Sequence, residues 1–409
     1  MTANLLFLFL ALLPLTAIVL YPMAIKLLSI LQGPAIDKPR VGDLPSVTLV
    51  ISAYNEEHVI ETKLENSLNI DYPKDKLEIF VVSDGSNDAT NEIVGRFAEH
   101  GVRLLSWPHN RGKSVALNDA VAEAKHDILV FSDANSMYHP LALRKLAPWF
   151  ADERVGSVCG RLVYIQQKHN GAEEGEIAYW NADAKMKNWE SHLGSVIAGN
   201  GAILGMRREA LIPLVGELSN DFIWTAASRY MGYRNIYEDQ AIAFEAPAGS
   251  IGSEFRRKVR IQQRGLHVHN YVLDFWNRGI RAASIADAMA VLLQMGAKKL
   301  CRYLTFPAIA MMMIVGLFAA SPLIHATTIA LWAMLAIAAF ATALRPILRK
   351  SIPSWPGFEY PLAMAAASFG GWYQYLSGKK LVSWGKERGD DVELNSTLVR
   401  QLESKFSIN

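Results

Sequence analysis

Short apolar runs alternate with amphipathic stretches between Val47 and Phe131. Val47 to Ala53 is rich in β-branched residues and predicts a buried strand. Glu56 to Leu68 follows with apolar residues at helical spacing. Leu77 to Val82, Val102 to Leu105 and Ile128 to Phe131 repeat the strand pattern, and Ala89 to Glu99 and Lys113 to Ala124 repeat the helical one. Strand–helix alternation of this kind predicts an α/β domain around a doubly wound, mostly parallel sheet. No internal repeat or low-complexity tract interrupts it.

The two ends of the chain follow a different pattern. Residues 1–25 carry no charge, and Leu5 to Ile25 is long enough to cross the ~30 Å apolar core of a bilayer. The start Met1-Thr2-Ala3-Asn4 lacks the basic flank of a signal peptide. Lys26, Lys38 and Arg40 come after the span, which predicts an outer amino terminus and a cytoplasmic domain. Tyr303 to Leu344 contains no Asp, Glu, Lys or Arg, and Ser321-Pro322 with His325 divides it into a hairpin of two spans. Arg302 precedes that hairpin and Arg345, Arg349 and Lys350 follow it. Between domain and hairpin, Ile285, Ala288, Met289, Leu292 and Met295 form a helical stripe, read as an interfacial helix or as a buried helix of the domain. Tyr360 to Leu376 is shorter, is broken by Gly370-Gly371 and precedes Lys379-Lys380, so it is either a span or a re-entrant segment.

The expected organisation is therefore a membrane helix over 1–31, a cytoplasmic domain over 45–270 and interfacial helices over 271–300. A hairpin over 303–344, a third membrane or re-entrant segment over 360–376 and a polar tail over 379–409 complete it. The place is the inner or plasma membrane, crossed more than once, with membrane lipid as a partner. A net charge of +2 gives no case for nucleic acid, and Cys159 and Cys301 are too few for a disulfide framework. The spans carry almost no ionisable groups, which disfavours a transporter.

Candidate chemistry lies just after the strands. Tyr54-Asn55-Glu56 opens a helix and is either a nucleotide contact or plain capping. Ser83-Asp84-Gly85-Ser86 is a turn that can set Asp84 against a base or ribose. Asn110-Arg111-Gly112-Lys113 looks like a phosphate loop, but that pattern needs glycine at position 107, where Trp107 stands. Gly112 still permits backbone approach, and Lys113 can neutralise phosphate. Asp133-Ala134-Asn135 offers two oxygen-bearing side chains that suit Mg²⁺ or Mn²⁺ shared with a diphosphate. Gly199-Asn200-Gly201 allows close approach of an acceptor or is a tight turn, and Trp180 is either a sugar platform or core. Asp221, much later in the chain, is free for proton transfer.

Taken in order, these motifs resemble the membrane-bound family 2 glycosyltransferases with the GT-A fold. That group includes synthases of cellulose, chitin, hyaluronan and poly-N-acetylglucosamine. The resemblance covers about residues 45–270 and the flanking membrane pattern. It implies that Asp84 contacts the nucleotide, with Ser83 in place of the family's first Asp. It implies that Asp133 and Asn135 hold the metal, with Tyr54, Asn55, Glu56, Gly85, Lys113 and Ala134 around the nucleotide sugar. Two candidates stand for the catalytic base. The family order, a base before a helix ending in Gly-Tyr-Arg, selects Asp221 ahead of Gly232-Tyr233-Arg234 over the pair Glu238-Asp239. Arg257 and Arg260 occupy the Gln-x-x-Arg-Trp position and are expected on the diphosphate, with Ile261 where the family has tryptophan.

The expected function is inverting, metal-dependent transfer of a hexose or N-acetylhexosamine from a nucleoside diphosphate, uridine favoured, to a growing polysaccharide. The alternatives are single-sugar transfer to a lipid-linked acceptor, and an inactive membrane scaffold.

Overall fold

The computed structural model describes residues 2–37, 44–165, 171–194, 196–216, 218–246, 251–348 and 359–379. Lys38, Arg40, Arg349, Lys350 and the tail from Lys380 onward lie outside the described residues.

An amino-terminal helix, α1 (Thr2–Gln32), leads into the domain. The α/β alternation then appears as β1 (Val47–Ala53), α2 (Ile60–Leu68), β2 (Leu77–Ser83), α3 (Thr90–Arg96), β3 (Val102–Ser106), α4 (Lys113–Glu123) and β4 (Ile128–Asp133). The chain continues through β5 (Met137–Tyr138), α5 (Ala142–Leu146), β6 (Val155–Tyr164), α6 (Gly171–His192), β7 (Leu204–Arg207), α7 (Asn220–Tyr230) and β8 (Arg234–Glu245). Every residue of β1 is buried, which is why it reads as an unbroken apolar run rather than as an alternation.

The eight strands form one sheet in the order β3-β2-β1-β4-β7-β6-β8-β5. β1 pairs in parallel with β2 and β4, and β2 with β3, as the strand–helix alternation predicts. Beyond β4 the sheet is mixed. β7 runs antiparallel to β4 and β6, β8 is parallel to β6, and β5 is antiparallel to β8. The departure from a mostly parallel sheet lies in this second half, for which the sequence pattern predicts no strands. The predicted helix from Glu56 begins at Ile60, because Glu56, Glu57 and His58 are drawn into a turn that holds the next loop.

The last part of the chain is helical: α8 (Ile251–Leu273), α9 (Ile285–Phe318), α10 (Pro322–Leu348) and α11 (Glu359–Leu376). Thr2–Gln32, Ile285–Phe318 and Pro322–Leu344 are long and apolar enough to cross a membrane. The stripe expected as a separate interfacial helix is continuous with the first hairpin span, through a π-helical turn at Met295–Leu300. No proline or glycine pair breaks the chain there, and Lys298 is neutralised by Glu190 rather than left to solvent. α11 explains its own glycines. A Cβ at Gly370 would meet Val259 at 3.0 Å and one at Gly371 would meet Gln262 at 2.9 Å, so the pair lets α11 lie flush on α8.

Candidate functional site

The register of the sheet brings the sequence motifs together. Ala53 lies beside Ser83, Ser52 beside Asp133, and Ser83 beside Ser106. The loops leaving β1, β2, β3 and β4 therefore open on one edge, at the carboxyl ends of parallel strands where such sheets bind ligands. β7 runs the other way, with Leu204 beside Phe131, so the loop preceding β7 arrives at the same edge.

Hydrogen bonds lace the first two loops. The Asn55 amide donates to Ser86 Oγ at 3.0 Å, and the Asn87 amide donates to Asn55 Oδ1 at 2.9 Å. The Glu56 amide donates to Thr90 Oγ1 at 2.8 Å, and the Glu57 amide to Asp88 Oδ2 at 3.1 Å. Asn55 holds a positive φ of 55°, a conformation that asparagine tolerates better than most residues. Tyr54 and Glu56 flank it, partly buried.

Asp84 is fully buried, and its two oxygens accept from the backbone amides of Arg111 at 2.9 Å and Gly112 at 2.8 Å. It thus shapes the 110–112 loop and gives Gly112 its place at the start of α4. Gly85, at φ 72°, sits against that loop, and a Cβ there would fall 2.3 Å from Asn110 N. Gly85→Ala is expected to destabilise the domain by about 2–4 kcal/mol through strain and overpacking, read as a lowered unfolding temperature.

Lys113 begins α4 and points its Nζ at Asp133 Oδ1, 2.5 Å away. Ser52 Oγ lies 3.4 Å from the same oxygen. Ala134 is buried in the turn and Asn135 stays partly exposed. Beneath them runs a fully buried lysine, Lys63, whose Nζ donates to Ser132 Oγ at 2.8 Å and to the Ser136 carbonyl. Burial pushes Lys63 down to about 7, against the pull of Asp133 and Glu245. Ser136 Oγ in turn donates to Glu245 at the end of β8. Lys63 sits mid-helix in an ordinary amphipathic pattern, so only its burial in three dimensions identifies it as a support for the Asp133 turn.

The 199–201 loop joins Asp133 to Asp221. A Cβ on Gly201 would sit 3.4 Å from Asp133 Oδ2, and one on Gly199 would sit 3.4 Å from the Asp221 carbonyl oxygen. The Gly199 amide donates to that carbonyl at 3.1 Å. Asp221 lies in the first turn of α7, partly exposed, with Ser219 Oγ donating to its Oδ1 at 2.6 Å. Asn200 turns inward and donates to the Gly160 carbonyl, so this loop offers its neighbours backbone rather than the Asn200 side chain. Glu238, the other acid considered for proton transfer, is buried and accepts from Trp149 Nε1 at 2.9 Å.

Two predicted positions, Arg257 and Trp180, are engaged with other side chains. Arg257 is buried on α8 and its guanidinium is committed to Glu176 and to Glu254, 2.8 Å away, rather than turned to a diphosphate. The physical reason is local: two buried carboxylates need a bidentate partner more than an exposed ligand does. Arg260, one turn on, is partly exposed. Trp180 packs on Tyr164 at 5.9 Å and edge-on to Tyr179 at 5.8 Å, in an aromatic group between α6 and the end of β6.

The fit to a divalent ion is chemical. Asp133 and Asn135 supply hard oxygen donors at one turn, the kind of partial set that Mg²⁺ or Mn²⁺ completes with substrate phosphates and water. Among the described residues no group of three or more His, Cys, Asp or Glu forms an all-protein metal site.

Comparison with known proteins agrees with this geometry. Residues 48–214 match the family described as Glycosyl transferase family 2. A beta-monoglucosyldiacylglycerol synthase of Trichormus variabilis is 31% identical over 42% of this chain and 38% of its own length. A poly-beta-1,6-N-acetyl-D-glucosamine synthase of Staphylococcus aureus is 27% identical over 56% of each chain. The chain thus spans about half the length, or less, of these curated relatives. A mannosyltransferase from Pyrobaculum calidifontis, solved with GDP-Man and Mn²⁺, superposes with a TM-score of 0.66 at 22% identity, covering 92% of this chain and all of that one. Residues 48–214 therefore resemble the family 2 glycosyltransferases, and the chain shares the fold of the mannosyltransferase.

Proposed function

We propose that the protein is a metal-dependent, inverting glycosyltransferase, moving a hexose or N-acetylhexosamine from a nucleoside diphosphate to an acceptor at the cytoplasmic face of the inner or plasma membrane. The observation that carries this reading is the placement of Asp133 and Asp221 on either side of the 199–201 loop. One carboxylate is held by a lysine and the other is left partly exposed at a helix start.

In this reading the nucleotide lies over the β1 and β2 loops, with uridine favoured by their acidic character. The diphosphate lies against Gly112, Lys113 and Arg260. A divalent ion held by Asp133 and Asn135 would neutralise charge on the departing diphosphate. Asp221 takes the proton of the acceptor hydroxyl while that oxygen bonds the anomeric carbon and the bond to the diphosphate breaks. Attack from the face opposite the leaving group inverts the anomeric carbon. Lys113 compensates the negative charge gathering on the leaving group.

The acceptor is either a growing polysaccharide or a lipid-linked molecule. Ile261, where a chain-lining tryptophan is expected by resemblance, is exposed on α8 at 42% of its surface, and this favours single transfer to a lipid-linked acceptor.

Purified protein in detergent, offered a panel of nucleotide sugars with Mg²⁺ or Mn²⁺, is expected to release nucleoside diphosphate from one donor. Chelation with EDTA abolishes that release and added metal restores it. Nucleotide binding without release from any donor, with membrane lipid extract present, would instead support a scaffold.

A further inference from the structure

Contacts lead from the Asp133 side of the 199–201 loop to a group of cations at the root of α9. Gly201 faces Asp133. Lys187 Nζ lies 3.4 Å from the Gly199 carbonyl and 3.0 Å from Asp183, and Asp183 is 4.0 Å from Arg302. The group is thus separated from Asp133 by the loop, and it borders α7. Lys299 Nζ stands 5.3 Å from the centre of the Phe222 ring, the residue that follows Asp221.

Arg302 and, from α8, Lys258 lie against one phenol. Arg302 donates to Tyr179 Oη at 3.0 Å, and Lys258 Nζ lies 4.4 Å above the same ring. Although burial works to raise the phenol, Arg302, helped by Lys258 and Lys299, brings Tyr179 down to about 8 against Asp183. The nearby carboxylates are already shared. Asp183 serves Lys187, and Glu254 serves both Arg257 and Lys258. Lys298, next in the chain, is closed off with Glu190. Among the described residues, Lys299 has no carboxylate within ion-pair distance. A partly buried ammonium whose nearest negative charge, on Asp183, is shared with Lys187 and Arg302 favours the approach of a further anion.

The position says which anion. Lys299 and Arg302 end the charged part of α9, and from Tyr303 the chain runs without charge to Leu344. That boundary is the depth at which lipid headgroups meet a membrane span. We propose that Lys258, Lys299 and Arg302 bind the phosphate of a membrane lipid whose hydroxyl is presented to Asp221. The acceptor is then a phosphate-bearing lipid and not a neutral diacylglycerol. This inference rests on the transferase reading for its acceptor role, but the binding site can be measured without turnover.

The experiment compares phosphatidic acid with diacylglycerol of the same acyl chains, each titrated into the full-length protein in a neutral maltoside and followed by native mass spectrometry. UDP affinity is measured in parallel. Phosphatidic acid is expected to bind and diacylglycerol not to. Lys299→Gln with Arg302→Gln is expected to weaken phosphatidic acid binding about 10- to 30-fold, the loss of two headgroup cations, with UDP affinity within about twofold of wild type. Lys299→Arg, which keeps the charge, retains binding and shows that the fold is intact. Equal binding of both lipids, or undiminished phosphatidic acid binding in the double variant, overturns the proposal. So does a loss confined to UDP affinity, which would assign the cations to the leaving diphosphate. Persistent lipid binding in a protein that transfers no sugar would instead remove the transferase reading and leave the lipid site standing.

Discussion

Asp221→Asn is expected to lower sugar transfer about 10²- to 10⁴-fold, the usual contribution of a positioned proton acceptor, with nucleotide affinity within about twofold of wild type. The substitution is isosteric. The side-chain amide oxygen of the variant still accepts from Ser219 Oγ, and the backbone carbonyl that receives the Gly199 amide is unchanged. What disappears is the ability to take a proton, so the fall should lie in kcat and kcat/KM together, with the donor KM unmoved. Single-turnover kinetics with a radiolabelled donor separates this from loss of binding. If Asp221→Asn turned over at the wild-type rate, another group would be the base, and Asp239 would be the first to test.

The second large effect concerns the joint between domain and membrane. Lys298 on α9 and Glu190 on α6 form a fully buried ion pair at 2.8 Å. Tyr21 on α1 donates to the other Glu190 oxygen at 2.5 Å, and Gln294 lies 3.4 Å from the Tyr21 hydroxyl. Two apolar helices and one helix of the domain thus meet at a single carboxylate. Glu190→Ala is expected to cost about 3–5 kcal/mol, because it leaves the Lys298 ammonium buried and unpaired. Glu190→Met with Lys298→Met should recover most of that, since well-packed apolar groups replace a buried pair at little net cost. The unfolding temperature in detergent, followed by size-exclusion elution of heated samples, distinguishes the two. A double variant as unstable as Glu190→Ala would mean that the pair contributes more than charge compensation.

The parallel half of the sheet was legible because its central strands, β1 and β4, are buried on both faces and read as plain apolar runs, with helical patterns between them. Val47 to Ala53 and Lys113 to Glu123 appear close to their predicted limits. The second half was not legible. β7 is four residues long, and β6 contains Gly156 and Gly160, which make room for Tyr233 and Ile203 and blur any strand pattern. The motif residues Asp84, Lys113, Asp133, Gly199, Gly201 and Asp221 were nameable in advance because each follows a strand or opens a turn or a helix. Their partners were not. That Asp84 is consumed by the amides of Arg111 and Gly112, or that Arg257 is consumed by Glu176, depends on residues far away in sequence. Lys63 and Lys299 gave no sequence signal, since a lysine in a helix ordinarily reads as a solvated face.

The central claim is that one site, bounded by Asp133 and Asp221, builds a glycosidic bond by a single displacement. Proton NMR of the product formed from an α-linked nucleotide sugar, in the presence of the acceptor lipid, tests it most directly. The account predicts one new glycosidic bond whose anomeric proton shows the β configuration. A product that keeps the α configuration would contradict it.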